Sequence, residues 1–306
     1  MAGKPLIVIL GPTAVGKTGF AIEVAQRVQG EIIGADSRQI YRHMDIGTAK
    51  PTPAEQAQAR HVMIDVVDPD ENLSVAQYQR MTYAHIEDMH TRGVIPLLVG
   101  GTGQYITAVT EGWSIPEVPP NEPFRESLFA LAAAEGVEPV YQRLVAVDPE
   151  AAANIHPNNV RRVIRALEVY HETGTRFSDL QRKTPPPYCI LELGLTLERP
   201  VLYERADTRV EHMMAAGFLD EVRRLLASGY SHTLPSMSGL GYAQLARHLV
   251  EGQPLEAAVA DTKQATRHFI RRQYTWFRGH DNGIVWHNDT HTAIDTVLDW
   301  LNACAF

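Results

Sequence analysis

Between Leu6 and Phe20 the chain reads LIVILGPTAVGKTGF, and this stretch constrains the fold more than any other. Five apolar residues end at Gly11, and the run Gly11, Pro12, Thr13, Ala14, Val15, Gly16, Lys17, Thr18 fits G-x-x-x-x-G-K-[ST]. Glycines let the backbone curl until successive N–H groups converge on an anion, at the positive end of the helix that TGFAIEVAQRV supplies. Lys17 adds a point charge and Thr18 offers a hydroxyl to Mg²⁺. An ordinary strand–turn–helix is disfavoured because the motif sits in the strand-to-helix context that confirms it. The expectation is a cradle for a di- or triphosphate.

Strand and helix alternate through the first third of the chain, which predicts a parallel sheet with helices on its faces. The candidate strands are LIVIL, EIIGAD, HVMIDVV and IPLLVGG, with the helix VAQYQRMTYAHIEDMHTRG leading into the last. A proline-rich break, IPEVPPNEP, follows. From Phe124 to Arg182 the pattern is helical, with Val160, Val163, Ile164 and Leu167 on one face and Arg161 and Arg165 on the other. TPPPY closes this insert, and CILELGLTL reads as a strand returning to the sheet. One amphipathic helix then carries Val210, Met213, Met214, Phe218, Val222, Leu225 and Leu226, with Gly229 as its stop. The fold class is therefore α/β: a P-loop NTPase-like parallel sheet core, residues 1–115 and 189–306, interrupted by a small all-helical domain, residues 116–188.

Composition excludes several classes of function. No apolar run reaches the ~18 residues of a membrane span, so a cytoplasmic protein is expected. Two cysteines, Cys189 and Cys304, cannot form a four-thiolate metal site, and a disulfide is disfavoured in a cytosolic chain. His287 and His291 have helical ligand spacing, but HNDTH follows the strand-like GIVW, is polar throughout, and reads as a solvated loop. The formal charge is −8, yet two zones are basic. KQATRHFIRRQYTWFR, from Lys263 to Arg278, has five basic residues and no acid, interleaved with Phe269, Tyr274, Trp276 and Phe277; NNVRRVIRALEVYHETGTRFSDLQRK has six basic residues against three acids. Basic zones on an acidic body fit either a polyanion met at a defined surface or solvated helix faces.

A nucleoside-triphosphate hydrolase places an acid at the end of a neighbouring strand to hold Mg²⁺. Here IPLLV ends in GGTG, with glycine where the acid would stand; Asp65, in VMID, is the runner-up. What stands at a strand end instead is Asp36, in GADSRQIY. A carboxylate at the carboxyl edge of a parallel sheet points into the same crevice as the phosphate loop. It either accepts a proton there or caps the next helix.

GPTAVGKT, ADSRQIYRHMDIGTAKP, IPLLVGGTGQY, IHPNNVRRVIRALEVY, RADTRVEHMMAAGFLDEV, LPSMSGLGYAQL and KQATRHFIRRQYTWFR together resemble the tRNA dimethylallyltransferases, also called tRNA isopentenyltransferases. They run in that family's order from residue 11 to 278. The resemblance implies transfer of a five-carbon allyl group from dimethylallyl diphosphate to the exocyclic N6 amine of the adenosine on the 3′ side of the anticodon in tRNA. The loop would then hold the leaving diphosphate, with Mg²⁺ at Thr18. Adenine's amine is a poor nucleophile because its lone pair is shared with the ring, so a carboxylate must take its proton as the bond forms. Asp36 is implied as that base, with Lys17, Thr102 and Arg209 at the reacting centre. Arg209 has a bland alternative, a surface ion pair with an acid such as Glu211.

The base must leave its stack to reach a buried diphosphate. By resemblance Asp36, Ser37, Arg38, Gln39 and Thr102 meet the anticodon stem-loop, as do Arg125, Arg161, Arg162 and Arg165 of the insert. Where the family often has HPND-x-QR this chain has HPNNVRR. Arg161 thus stands at a glutamine position, and a base edge and a phosphate are both open to it. A membrane is not expected as a partner, and a monomer is. Competing readings are an adenylate isopentenyltransferase acting on free AMP, ADP or ATP, a P-loop small-molecule kinase, and a non-catalytic tRNA-binding protein.

Overall fold

A computed structural model describes residues 3–180, 182–280 and 283–304. Six parallel strands, β1 (Lys4–Leu10), β2 (Gly30–Ala35), β3 (His61–Val62), β4 (Ile95–Gly100), β5 (Tyr188–Leu195) and β6 (Val285–His287), form one sheet in the order β3-β2-β4-β1-β5-β6. The α/β core read from the sequence is present. β1 is central and covered on both faces: Leu6, Val8 and Leu10 enter one apolar cluster, Ile7 and Ile9 the other. This is why its residues form a continuous apolar run instead of alternating.

Local chemistry sets where the elements begin. The helix Val75–Thr91 starts at Ser74, which forms a capping box with Gln77. Three expectations are corrected. HVMIDVV keeps only the two residues of β3 in the sheet, because Met63 and Asp65 adopt positive φ (62° and 54°) and bend the chain away. The amphipathic helix expected up to Gly229 is two, Arg199–Ala215 and Phe218–Ala227, broken at Gly217 with φ 96°. HNDTH is not a loop: His287 ends β6, and His291 lies in the helix Thr290–Ala303, 3.5 Å from Asp295.

The chain divides into two compact units, one built from the chain up to Thr110 and from Pro187 on, the other from Glu111–Pro186. The second has its own apolar core, including Leu128, Val140, Leu144, Val163, Ile164 and Leu167. Its buried acid Glu168 accepts from Arg125 Nε (2.8 Å) and Arg165 Nη1 (2.5 Å) and from the backbone N–H of Asn121 (2.8 Å). Burial alone would raise this carboxyl; the hydrogen bonds from Arg125, Asn121 and Arg165 overcome that and hold it below the usual glutamate value. No helix of the described residues is long and apolar enough to cross a membrane.

Candidate active site

Because the strands are parallel, β1, β2 and β4 end side by side: Leu10 is in register with Gly100, and Gly100 with Ala35. The next residues, Gly11, Gly101 and Asp36, therefore share one edge of the sheet. A cavity of about 710 Å³ opens there. Among the residues expected at a site it is lined by Thr13, Ala14, Gly16, Lys17, Thr18, Asp36, Gln39 and Arg209.

The loop is organised around a half-buried cation. Lys17 Nζ donates to the Pro12 carbonyl at 2.8 Å. Burial pushes its pKa down to about 7, opposed by the Asp36 carboxylate and assisted by the Arg209 guanidinium. Burial also lowers Arg209, against the pull of Asp36. One carboxylate and two cations thus feel one another inside a single cavity. Arg209 is not the surface ion pair that Glu211 could have offered: Glu211 pairs with Lys263 (2.6 Å), and Arg209 Nη1 reaches Thr13 Oγ1 at 3.4 Å.

Other expected residues lie off the cavity wall, each for a visible reason. Gly11 is where the chain passes β5, and a Cβ there would lie 2.5 Å from the Leu195 carbonyl. The Val15 side chain is buried in the apolar core, leaving only its backbone for an anion. Thr102 is turned toward the Asp36 turn: its hydroxyl accepts from Ser37 N–H (2.9 Å) and donates to Ser37 Oγ (3.3 Å). Arg38 gives its guanidinium to the Pro235 and Ser236 carbonyls (2.8 and 3.2 Å) and to Ser238 Oγ (3.2 Å). Asp36 Oδ1 accepts from Arg38 N–H at 2.8 Å, so the carboxylate caps its own turn and still faces the cavity. In the second unit Arg125 and Arg165 are turned onto Glu168, whereas the Arg161 and Arg162 side chains are exposed and make no ion pair among the described residues. Asn159 caps their helix, as aspartate would, accepting from Arg162 N–H.

The missing acid after β4 has a steric explanation. A Cβ on Gly100 would lie 2.0 Å from the Ala35 carbonyl oxygen, and one on Gly101 would lie 2.4 Å from Gln273 Nε2. No side chain fits at Gly100, and one at Gly101 would displace the Gln273 amide. Asp65 lines the cavity but is engaged, its Oδ1 2.6 Å from the buried ammonium of Lys50, which also bonds Asp45 and the Tyr41 carbonyl. For Mg²⁺, Thr18 and Asp36 bring hard oxygen donors to one cavity. That donor set fits a cation completed by phosphate oxygens and water; among the described residues no group of three or more His, Cys, Asp or Glu could cage a metal.

Two residues passed over in the sequence shape the site. Gln273 is buried, accepts from Thr13 N–H at 2.9 Å and donates to the Gly101 carbonyl at 2.8 Å. Its signal was its place on the buried stripe Thr266, Ile270, Gln273, Phe277, where a side-chain amide needs partners. Glu221, also buried, accepts from the N–H groups of Asp45 (3.1 Å), Ile46 (2.8 Å) and Gly47 (3.2 Å) and from Tyr242 OH (2.5 Å). No sequence signal separated it from Asp220.

Comparison with known proteins follows the same lines. A family model described as IPP transferase matches residues 39–280. The chain is 56% identical over 274 residues to the tRNA dimethylallyltransferase of Roseiflexus castenholzii, covering 90% of each. It is 52% identical over 304 residues to that of Roseiflexus sp. (strain RS-1), covering 98% of this chain and 99% of the other. Among solved structures, a full-length tRNA isopentenylpyrophosphate transferase from Bacillus halodurans superposes with a TM-score of 0.72 at 38% identity, covering 98% of this chain and 96% of that one. A eukaryotic dimethylallyltransferase described as acting on tRNA gives a TM-score of 0.82 at 27% identity, covering 98% and 80%.

Proposed function

The chain belongs to the tRNA dimethylallyltransferase (IPP transferase) family, and on that premise we propose that its cavity holds the diphosphate end of dimethylallyl diphosphate at Lys17 while Asp36 deprotonates the N6 amine of the adenosine 3′-adjacent to the anticodon. The activity is that of a tRNA dimethylallyltransferase. The observation that carries the site assignment is the meeting of Asp36, Lys17 and Arg209 in one cavity at the end of the phosphate loop.

The chemistry follows from that juxtaposition. The loop amides of Ala14 to Thr18, with Lys17 and Arg209, neutralise the diphosphate as the bond from its oxygen to the allylic carbon breaks. Mg²⁺ held by Thr18 and the diphosphate oxygens would add charge neutralisation at the same leaving group. Asp36 takes the amine proton as the new C–N bond forms, so the adenine never carries a full positive charge. Gln39, whose side-chain amide donates to the Thr48 and Ala49 carbonyls at 3.1 Å, stands on the wall beside the incoming base. The exposed Arg161 and Arg162 of the helical unit supply phosphate contacts, and their lack of acidic partners among the described residues supports that role. A tRNA substrate supports a cytoplasmic location.

The test supplies labelled dimethylallyl diphosphate with tRNA, with AMP, or with ATP and no other acceptor. Label in the N6 position of one anticodon-adjacent adenosine is expected. Label in AMP alone would assign the free-nucleotide reaction instead, and ATP consumption without prenyl transfer would assign a kinase.

A further inference from the structure

The chain has two cysteines, Cys189 and Cys304, 115 residues apart. Folding brings their sulfurs to 3.0 Å from each other, with both residues only half-buried. Cys189 is the second residue of β5, opposite Pro5 of β1, and Cys304 caps the C-terminal end of the helix Thr290–Ala303. Two sulfurs that share no helix, strand or turn have no local reason to meet. We propose that Cys189 and Cys304 form a modification site, a dithiol that a hydroperoxide closes to an intramolecular disulfide.

The step balances without a cofactor. One thiol attacks the peroxide oxygen, breaking the O–O bond, releasing an alcohol (water for hydrogen peroxide) and leaving a sulfenic acid. The second thiol attacks that sulfur, the S–S bond forms, and water leaves; two thiols lose two electrons and two protons, and the peroxide is reduced. Burial, with the neighbouring Cys189 sulfur adding to it, pushes the Cys304 thiol up to about 11. A thiol held protonated reacts slowly, so the response is set off by sustained oxidant. Closing the bond requires the sulfurs to approach to about 2.05 Å, roughly 1 Å of side-chain movement.

Position defines the consequence. Cys189 sits at the amino edge of the sheet, and the cavity is at the carboxyl edge, six residue steps or about 20 Å away along β5. The crosslink pins the last turn of the C-terminal helix to the floor of the sheet. It closes a long loop, the case in which restricting the unfolded chain stabilises most. Stability rises while prenyl transfer stays as it was.

The experiment oxidises the full-length reduced protein with hydrogen peroxide or diamide, then maps peptides without reductant. A peptide pair joining Cys189 to Cys304, lighter by two hydrogens, is expected. A melting temperature several degrees higher, reversed by dithiothreitol, and unaltered prenyl transfer should accompany it. Cys304→Ser should fold, transfer prenyl groups and show no oxidant response in melting temperature. The proposal is overturned if both thiols still alkylate after oxidation, if each gains oxygen atoms with no linked peptide, or if the linkage joins two chains. The thiol count on the unaltered protein decides this whether or not the variant folds, and it is independent of the substrate assignment.

Discussion

Gln273 holds Thr13 by its backbone N–H and Gly101 by its carbonyl, so one side chain from a C-terminal helix sets the gap between the phosphate loop and the end of β4. Gly101 has no Cβ because that atom would strike the same amide. The loop and the GGTG turn are thus mutually fitted parts of one site.

Replacing Gln273 by Leu keeps the shape and leaves a buried N–H and a buried carbonyl without partners, at about 1–3 kcal/mol for each. The loop should loosen. Affinity for inorganic diphosphate, measured by calorimetry, is expected to fall by about tenfold or more, while binding of a tRNA anticodon stem-loop is retained. Unchanged diphosphate affinity would remove Gln273 from this role.

Glu221 acts on another stretch of the lining, the turn that carries Asp45 and Ile46. Its carboxylate gathers three successive N–H groups of the Asp45–Gly47 turn, and the next residues present the Thr48 and Ala49 carbonyls to Gln39. Glu221→Gln must turn an NH₂ toward donors or abandon some of them, and hydrogen bonds to a charged group contribute about 1.5–3 kcal/mol. Steady-state kinetics should show KM for tRNA raised by about tenfold with little change in the Kd of dimethylallyl diphosphate. Tyr242→Phe, which removes one bond and leaves the turn held, is the control expected to behave like the unaltered protein.

Lys17 gives the site a pH dependence whose sign is fixed by burial. Its folded-state value near 7 lies below the ordinary 10.5, so the free protein loses this charge as pH rises through 7. Bound diphosphate favours the ammonium, so binding above pH 7 takes up a proton and affinity should fall by up to about tenfold per pH unit. The same linkage makes the empty protein more stable as pH rises from about 7 toward 10, because the unfolded lysine there binds more protons than the folded one. Lys17→Arg, which stays charged, should bind more weakly but with a flatter profile, and the comparison cancels the titration of the ligand itself. Parallel profiles would assign the dependence elsewhere.

Asp36→Asn preserves an oxygen for Arg38 N–H and so keeps the turn. It removes the base. Single-turnover prenyl transfer is expected to drop by about 10² to 10⁴, with both substrates still bound; turnover within a few-fold of the unaltered protein would take Asp36 out of the role.

Why some of this was legible before the structure and some was not has a physical pattern. The phosphate loop, the run of β1 and Asp36 could be read because each is a local arrangement: consecutive residues create the turn, the helix end and the strand terminus together. Gln273, Glu221 and the Arg38 anchor could not, since each acts on backbone groups far away in sequence, 260 residues in the case of Thr13 and Gln273. The split at Gly217 was missed because the apolar stripe continues across it, and a positive φ leaves the periodicity intact. Arg125, Arg165, Arg161 and Arg162 look alike as basic residues; what separates them is Glu168, whose burial is decided by the whole helical core.

That separation makes a last prediction. Removing Arg125 leaves Glu168 buried with one cation fewer, and breaking a buried pair costs about 3–5 kcal/mol, toward the lower end here because Arg165 remains. Arg125→Ala should therefore lower the melting temperature of the helical unit. Because Glu168 is held below its ordinary value, the stabilisation is present above the unfolded glutamate pKa near 4.5 and is lost as pH falls through the lower folded value, so the melting gap between the two proteins should close in acid. Arg161→Ala and Arg162→Ala should leave melting unchanged. Each should instead weaken tRNA binding and reduce the salt dependence of log K by about one phosphate's share. If Arg125→Ala loses tRNA affinity at full stability, or Arg161→Ala melts early, the roles of the two sets are reversed.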